Sequence, residues 1–239
     1  MSFSRSLAIG LVAATVASAA SAANLVTNGS FETPTPGNGL AGWTYTGGEN
    51  PPSGTPLYPP VSIFYGAAQA YPQGAFGEAI PANNAPTNSP DAVGARAAYF
   101  VSDFANNPNQ TLTQSVFLNA GIYQIGFSAY APANGFANAG DATFEGIVAS
   151  LSLASYNVSA GLVQTWQTFA GAANIAVAGI YDVEFTFYTN AFPSKDIVID
   201  QVYIIAGNPP IGVPEPLSLA LLGSGLLGLA AARRLRRRA

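Results

Sequence analysis

Ala120-Gly121-Ile122-Tyr123-Gln124-Ile125-Gly126-Phe127 and Ala178-Gly179-Ile180-Tyr181-Asp182-Val183-Glu184-Phe185 are one phrase written twice. In the first, Tyr123, Ile125, Phe127 and Ala129 fall on one side of an extended chain, with Gln124, Gly126 and Ser128 on the other. In the second, Tyr181, Val183, Phe185 and Phe187 oppose Asp182, Glu184 and Thr186. Side chains alternate across a strand, so this period of two predicts two half-buried antiparallel strands, each entered through a glycine turn. We read them as equivalent strands in two sheets. Two copies are too few for a solenoid.

Residues 61–65, 97–101, 110–118, 143–153, 162–169 and 196–205 also read as strands. Between them the chain is crowded with Gly, Pro and Asn, and no amphipathic helical period appears. Residues 66–92 form a long stretch rich in Pro, Asn and Ala, which a compact domain keeps only when it is functional or locally mobile. The pattern predicts an all-β protein, an antiparallel β-sandwich of the jelly-roll type, over residues 23–207.

The two ends differ from this core. Residues 1–22 carry one charge, Arg5, then an apolar stretch, then Ala20-Ser21-Ala22. That small-x-small pattern is what signal peptidase accepts, so a signal peptide helix cleaved after Ala22 is expected. Residues 208–213 read as a linker, and residues 214–239 as a tail. In the tail Pro214-Glu215-Pro216 precedes an uncharged apolar run, 217–232, and then Arg233, Arg234, Arg236, Arg237 and Arg238. Sixteen helical residues cover about 24 Å, short of a ~30 Å hydrocarbon core unless the bilayer thins and arginines snorkel. The positive-inside bias keeps the arginines in the cytoplasm and the main domain outside. These features predict a single transmembrane helix, with an ordinary C-terminal anchor as the alternative reading. Gly223-Ser224-Gly225-Leu226-Leu227-Gly228 spells G-x-G-x-x-G inside the run, but no strand precedes it and no acidic residue follows at the required distance.

The triplet, the short apolar helix and the terminal arginines, in this order, resemble the PEP-CTERM sorting signal. That resemblance implies recognition of Pro214, Glu215 and Pro216 by an exosortase, a membrane cysteine protease of Gram-negative bacteria that often make exopolysaccharide. It implies a protein held briefly in the inner membrane, then processed to the cell surface or extracellular matrix. The chain would be the substrate of that reaction.

Composition narrows the chemistry. The 239 residues include no Cys and no His, which removes disulfides, Cys/His zinc sites and His-dependent triads. Residues 24–213 hold two cations, Arg96 and Lys195, against eleven acids, a formal charge of −9 where the whole chain is −4. A nucleic-acid partner needs a basic face, and none exists. Carboxylate pairs and calcium remain. A secreted glycoside hydrolase would need two acids about 5–9.5 Å apart. Nothing in the spacing of the acids marks such a pair, and the chain reads as no enzyme.

Asn24-Leu25-Val26-Thr27-Asn28-Gly29-Ser30-Phe31-Glu32, the Gly42-Trp43 pair, the Ala-Gly-Ile-Tyr strand and a closing Ile199-Asp200-Gln201-Val202 resemble the galactose-binding-like jelly roll of carbohydrate-binding modules. The resemblance implies a structural calcium held by Glu32 and Asp200. Family members often carry two adjacent acids at the closing strand, whereas this chain has Gln201. It also implies glycan binding, so the exported domain is expected to be structural or glycan-binding, with exopolysaccharide as partner. Among aromatics in the loop-rich first half, Tyr45, Tyr58, Tyr65 and Tyr71 are the candidate sugar-stacking residues. Trp43 and Trp166 read as core.

Overall fold

A computed structural model of the chain describes residues 22–48, 58–66, 68–84, 89–91, 94–103, 109–133, 142–189 and 194–207. The expected signal peptide up to Ser21, the linker, the sorting triplet, the apolar run and the arginines lie outside these residues. Ten strands form among those described: β1 (Thr44–Thr46), β2 (Val61–Phe64), β3 (Arg96–Phe100), β4 (Gln110–Leu118), β5 (Gly121–Tyr130), β6 (Thr143–Val148), β7 (Leu151–Asn157), β8 (Gln167–Ile175), β9 (Gly179–Tyr188) and β10 (Ile197–Ala206).

They make two five-stranded sheets, β1-β4-β9-β6-β7 and β2-β3-β10-β5-β8. All pairings between strands are antiparallel. From β3 onward the chain changes sheet at every connection except the β6–β7 hairpin. The resulting orders, β4-β9-β6-β7 and β3-β10-β5-β8, are those of a jelly roll, with β1 and β2 added at the edges.

The duplicated phrase supplies β5 and β9, one interior strand in each sheet, as the alternation predicts. Their apolar sides meet between the sheets. Phe127 of β5 packs edge-on against Phe144 at 5.0 Å and against Phe185 of β9 at 6.1 Å between ring centroids. Trp43 meets Phe185 at 5.8 Å and donates its indole N–H to the Asn28 carbonyl at 3.1 Å. It is a core residue with its polar end satisfied.

Two expected strands moved. Residues 143–153 are a hairpin, β6 and β7, turned at Ala149 and Ser150, which sit at φ 52° and 62°. Neither residue type announces a left-handed turn, so the sequence reads as one strand. The strand expected over 162–169 lies further along, at Gln167–Ile175. This run, with its many Ala and Gly residues, shows little hydrophobic alternation. Small residues are needed because β8 approaches β7 closely: a Cβ on Gly171 would collide with the Leu153 carbonyl.

The long stretch after β2 is not a free loop in its described part. It folds over the outer face of the β2-β3-β10-β5-β8 sheet and forms a second apolar core. Val61, Ile63, Ala75, Ile80, Ala97, Tyr99, Val101, Tyr130 and Val198 are buried there. This cover explains why β10 is buried along nearly its whole length.

The inter-sheet phenylalanines should dominate stability. Phe127→Ala is expected to cost about 3–5 kcal/mol. Phe117→Ala, at a position 61% exposed, should change stability little. Urea denaturation of both variants checks this contrast.

Candidate functional site

The two outer faces of the sandwich are unlike. The β2-β3-β10-β5-β8 face is covered by aromatic packing over β2, β3, β10 and the end of β5, while the outward residues of β8, Thr168, Ala170, Ala172 and Asn174, stay exposed. Tyr71 stacks on Phe76 at 5.4 Å, and Tyr58 sits at 4.9 Å from Tyr71. Trp166 meets Tyr130 at 5.4 Å and Tyr65 at 6.1 Å, and donates its N–H to the Pro81 carbonyl. Buried Tyr99 donates to Asp196, which also accepts the Ser102 N–H at 2.9 Å.

Three of the four candidate tyrosines lie in this seal. Tyr58, Tyr65 and Tyr71 are half-buried against the second core. The Tyr71 hydroxyl donates to the Pro59 carbonyl at 2.8 Å and that of Tyr65 to Asp200 at 2.6 Å. Tyr45 stands apart on β1, 46% exposed. It is paired with buried Leu112, so it shares the inward face of its sheet at the rim.

Asp200 is fully buried. Its Oδ2 accepts from Tyr65 and, at 3.3 Å, from the Asn83 amide; its Oδ1 accepts the Gln201 N–H at 2.7 Å. All three donors are neutral. Burial pushes the carboxyl up to about 7, the three hydrogen bonds pull the other way, and the Glu32 charge adds a smaller upward push. Glu32 is itself exposed, accepts the Arg96 N–H at 2.8 Å, and lies against Gly94, where a Cβ would collide with it. The fold therefore brings the two candidate calcium ligands within electrostatic range. Among the described residues no three His, Cys, Asp or Glu side chains gather as a metal-binding group. Gln201, where a second acid would strengthen such a site, occupies a bulge at φ 52° and accepts from Ser128 at 3.3 Å.

The β1-β4-β9-β6-β7 outer face is polar over most of its length and ends in the exposed apolar pair Phe117 and Ile180. Register places Thr44 beside Thr113, Ser115 beside Asp182, and Thr111 beside Thr186. Glu184 and Glu145 follow on β9 and β6, with Glu145 opposite Thr186. Ser115 donates to Asp182 Oδ1 at 2.7 Å, and the Thr111 and Thr186 hydroxyls share a hydrogen bond at 3.0 Å. Tyr188 ends the row; its hydroxyl is raised above the ordinary value by burial and then by Glu145 and Glu184.

On this face lies an open groove of ≈ 570 Å³, floored by Thr44, Thr113, Ser115 and Asp182. Its wall is the N-terminal segment at Leu25 and Thr27. Gln114 pins that wall: it accepts the Thr27 N–H at 2.9 Å and donates to the Thr27 carbonyl at 2.7 Å. Hydroxyls and a carboxylate at strand spacing offer both donors and acceptors to a polyhydroxylated ligand. Asp182 and Glu184 are two positions apart on one face, about 7 Å by strand rise. None of these groove residues stands out in the sequence, because Thr and Ser on an outward face look like ordinary solvent-facing positions. The one available signal is that β4 alternates hydroxyls with buried residues.

No family model and no curated protein matches the chain. Solved structures similar to it include TmCBM61 in complex with beta-1,4-galactotriose, at 18% identity and TM-score 0.47, covering 77% of this chain and 99% of that one. Family 16 Carbohydrate Binding Module-2 aligns at 16% identity and TM-score 0.41 over 76% of this chain and 99% of its own. The enzymatically active domain of bacteriophage CBA120 tailspike protein 4 aligns at 16% and 0.43, over 77% of this chain and 21% of its own. The jelly-roll assignment rests on the strand order described above.

The raised Asp200 carboxyl fixes the sign of a pH effect. A carboxyl near 7 in the fold and 3.8 unfolded binds its proton more tightly when folded. Its stabilising contribution is present below the unfolded value and is lost as pH rises through the folded one. In chelator, the melting temperature should fall between about pH 4 and 7. Asp200→Asn should flatten that slope, and an unchanged slope would contradict the assignment.

Proposed function

We propose that this chain is an exported, non-catalytic glycan-binding protein, delivered to the cell surface or extracellular polysaccharide through its C-terminal tail. The observation that carries the binding reading is the groove of Thr44, Thr113, Ser115 and Asp182 on a largely polar sheet face, opposite a face covered over β2, β3 and β10. Sugars present many hydroxyls at fixed spacing, and a row of short hydroxyl side chains beside a carboxylate meets them without large conformational cost. The strongly acidic exported segment disfavours anionic polymers, so neutral polysaccharide is the expected class.

The sorting reading comes from the tail sequence. Signal peptidase would act after Ala22 and an exosortase at Pro214-Glu215-Pro216, with the arginines held at the cytoplasmic side of the inner membrane until processing. Calcium at Glu32 and Asp200 is part of the same reading. A buried acid whose donors are all neutral gains from a divalent cation that offsets its charge.

Three measurements bear on these statements. On an array of neutral polysaccharides, the mature protein should bind, and Asp182→Ala should weaken binding about tenfold, the size of a lost charge-assisted hydrogen bond. Release of reducing ends would convert the reading to a hydrolase, and absence of binding would end it. Calcium should raise the melting temperature above that in chelator; no difference removes the metal. Mass spectrometry of protein from its own cells should find the C-terminus lost near Pro214 in wild type and retained in Glu215→Ala. Retention of Arg238 in both would make the tail an ordinary anchor.

A further inference from the structure

One end of the sandwich carries an unusual set of side chains. β4 ends and β9 begins there, with Phe117 paired to Ile180. β5 begins beside the end of β8, with Gly121 paired to Ile175. The β6–β7 hairpin points the same way. Phe117 is 61% exposed, Ile122 48%, Leu151 56%, Val177 69% and Ile180 74%. The segments that build this end, 117–122, 147–152, 174–180 and 203–207, contain no Asp, Glu, Lys or Arg. Phe117 and Ile180 stand on the outer face of one sheet and Ile122 on that of the other, so the apolar side chains ring this end. Turn tips ordinarily carry polar residues, and exposed apolar side chains at one end mark a contact surface.

Leu25 and Gly207, near the two ends of the described residues, both lie toward this end. Gly207, the last described residue, donates its N–H to the Ile122 carbonyl at 2.6 Å. The Leu25 N–H donates to the Ile204 carbonyl at 2.9 Å, which sets the N-terminal segment three positions before Gly207. Nine residues, 208–216, then separate Gly207 from the apolar run. Fully extended they span at most about 30 Å. β5, β9 and β10 are ten residues long, so the opposite end lies about 33 Å further away.

We propose that this charge-free apolar end rests on the lipid bilayer surface while the tail holds the chain in the membrane. The proposal depends on residues 217–232 being membrane-inserted. It resolves an electrostatic problem. A domain of formal charge −9 is repelled by anionic lipid, and presenting the end without acids keeps its carboxylates back. Two acids come nearest to it. Asp182 sits two positions behind Ile180 on β9, about 7 Å along the strand, close to one Debye length in physiological salt. Asp91 is half-buried and accepts from Asn24 at 2.7 Å beside Ile204. A second copy is a poorer occupant, because five side chains fall short of the roughly 20–30 residues a side in a stable protein interface. The contact would hold the sorting triplet near the membrane plane and aim the polar groove sideways, along the bilayer.

The chain has no Cys, so single substitutions accept one fluorophore each. The full chain with its tail is placed in vesicles of phosphatidylethanolamine and phosphatidylglycerol, carrying a polarity-sensitive dye at Val177→Cys or at Asn109→Cys on the opposite end. The expected result is blue-shifted emission at position 177, quenched severalfold more by spin-labelled lipid than at 109, and unchanged at raised salt. Water-like emission at both positions, with the protein still resisting a carbonate wash, overturns the proposal and leaves the tail reading intact. Release by carbonate overturns both. Energy transfer between copies labelled at 177, at low protein density, assigns the end to self-association and overturns it as well.

Discussion

Phe127 reaches across the sandwich to Phe144 and Phe185, and the position of nearly everything else follows from that contact. It locks β5 of one sheet over β6 and β9 of the other, so the polar residues alternating with these phenylalanines must face outward. On β9 those residues are Asp182 and Glu184. The groove is thus a by-product of core packing: burying Phe185 obliges the neighbouring acids onto the open face. A one-residue slip of β9 would bury both acids and expose Val183 and Phe185, a cost no groove could offset.

The outer faces diverge because the chain spends its long early segment on only one of them. Tyr58, Tyr71 and Phe76 interlock, and Tyr65 reaches Asp200 on the central strand β10. Covering β10 on both sides gives a strand that is apolar almost throughout, interrupted by an acid that is expensive to bury. The opposite sheet keeps hydroxyls and carboxylates in register across β1, β4 and β9. One face is therefore largely covered, and the other presents its polar side chains to solvent.

Much of the fold was legible in the sequence, and the reasons are local. The duplicated Ala-Gly-Ile-Tyr phrase carries its own alternation, and β4 was readable to the residue at both ends. Strand β8 was misplaced because its alternation is written in Ala and Gly, chosen for close approach to β7 and not for burial of large side chains. The β6–β7 turn was missed because Ala149 and Ser150 adopt left-handed backbone without the usual Gly or Asn. The tyrosines chosen for sugar stacking illustrate a different limit. An aromatic in a Pro-rich segment looks the same whether it faces solvent or seals a sheet, and Tyr58, Tyr65 and Tyr71 seal one. Conversely, the groove is assembled from Thr44, Thr113, Ser115 and Asp182, which come together only through strand order. Asp200 reads in the sequence as a calcium ligand; its burial against Tyr65 and Asn83, from the covering segment, is not legible there.

The division into one largely covered and one open face is tested most directly by hydrogen–deuterium exchange of the mature protein, with and without the polysaccharide made by its own cells. The account predicts new protection confined to β1, β4 and β9, around Thr113, Ser115 and Asp182. Protection appearing instead over residues 65–83, with β4 and β9 unchanged, would place the ligand on the aromatic seal and contradict it.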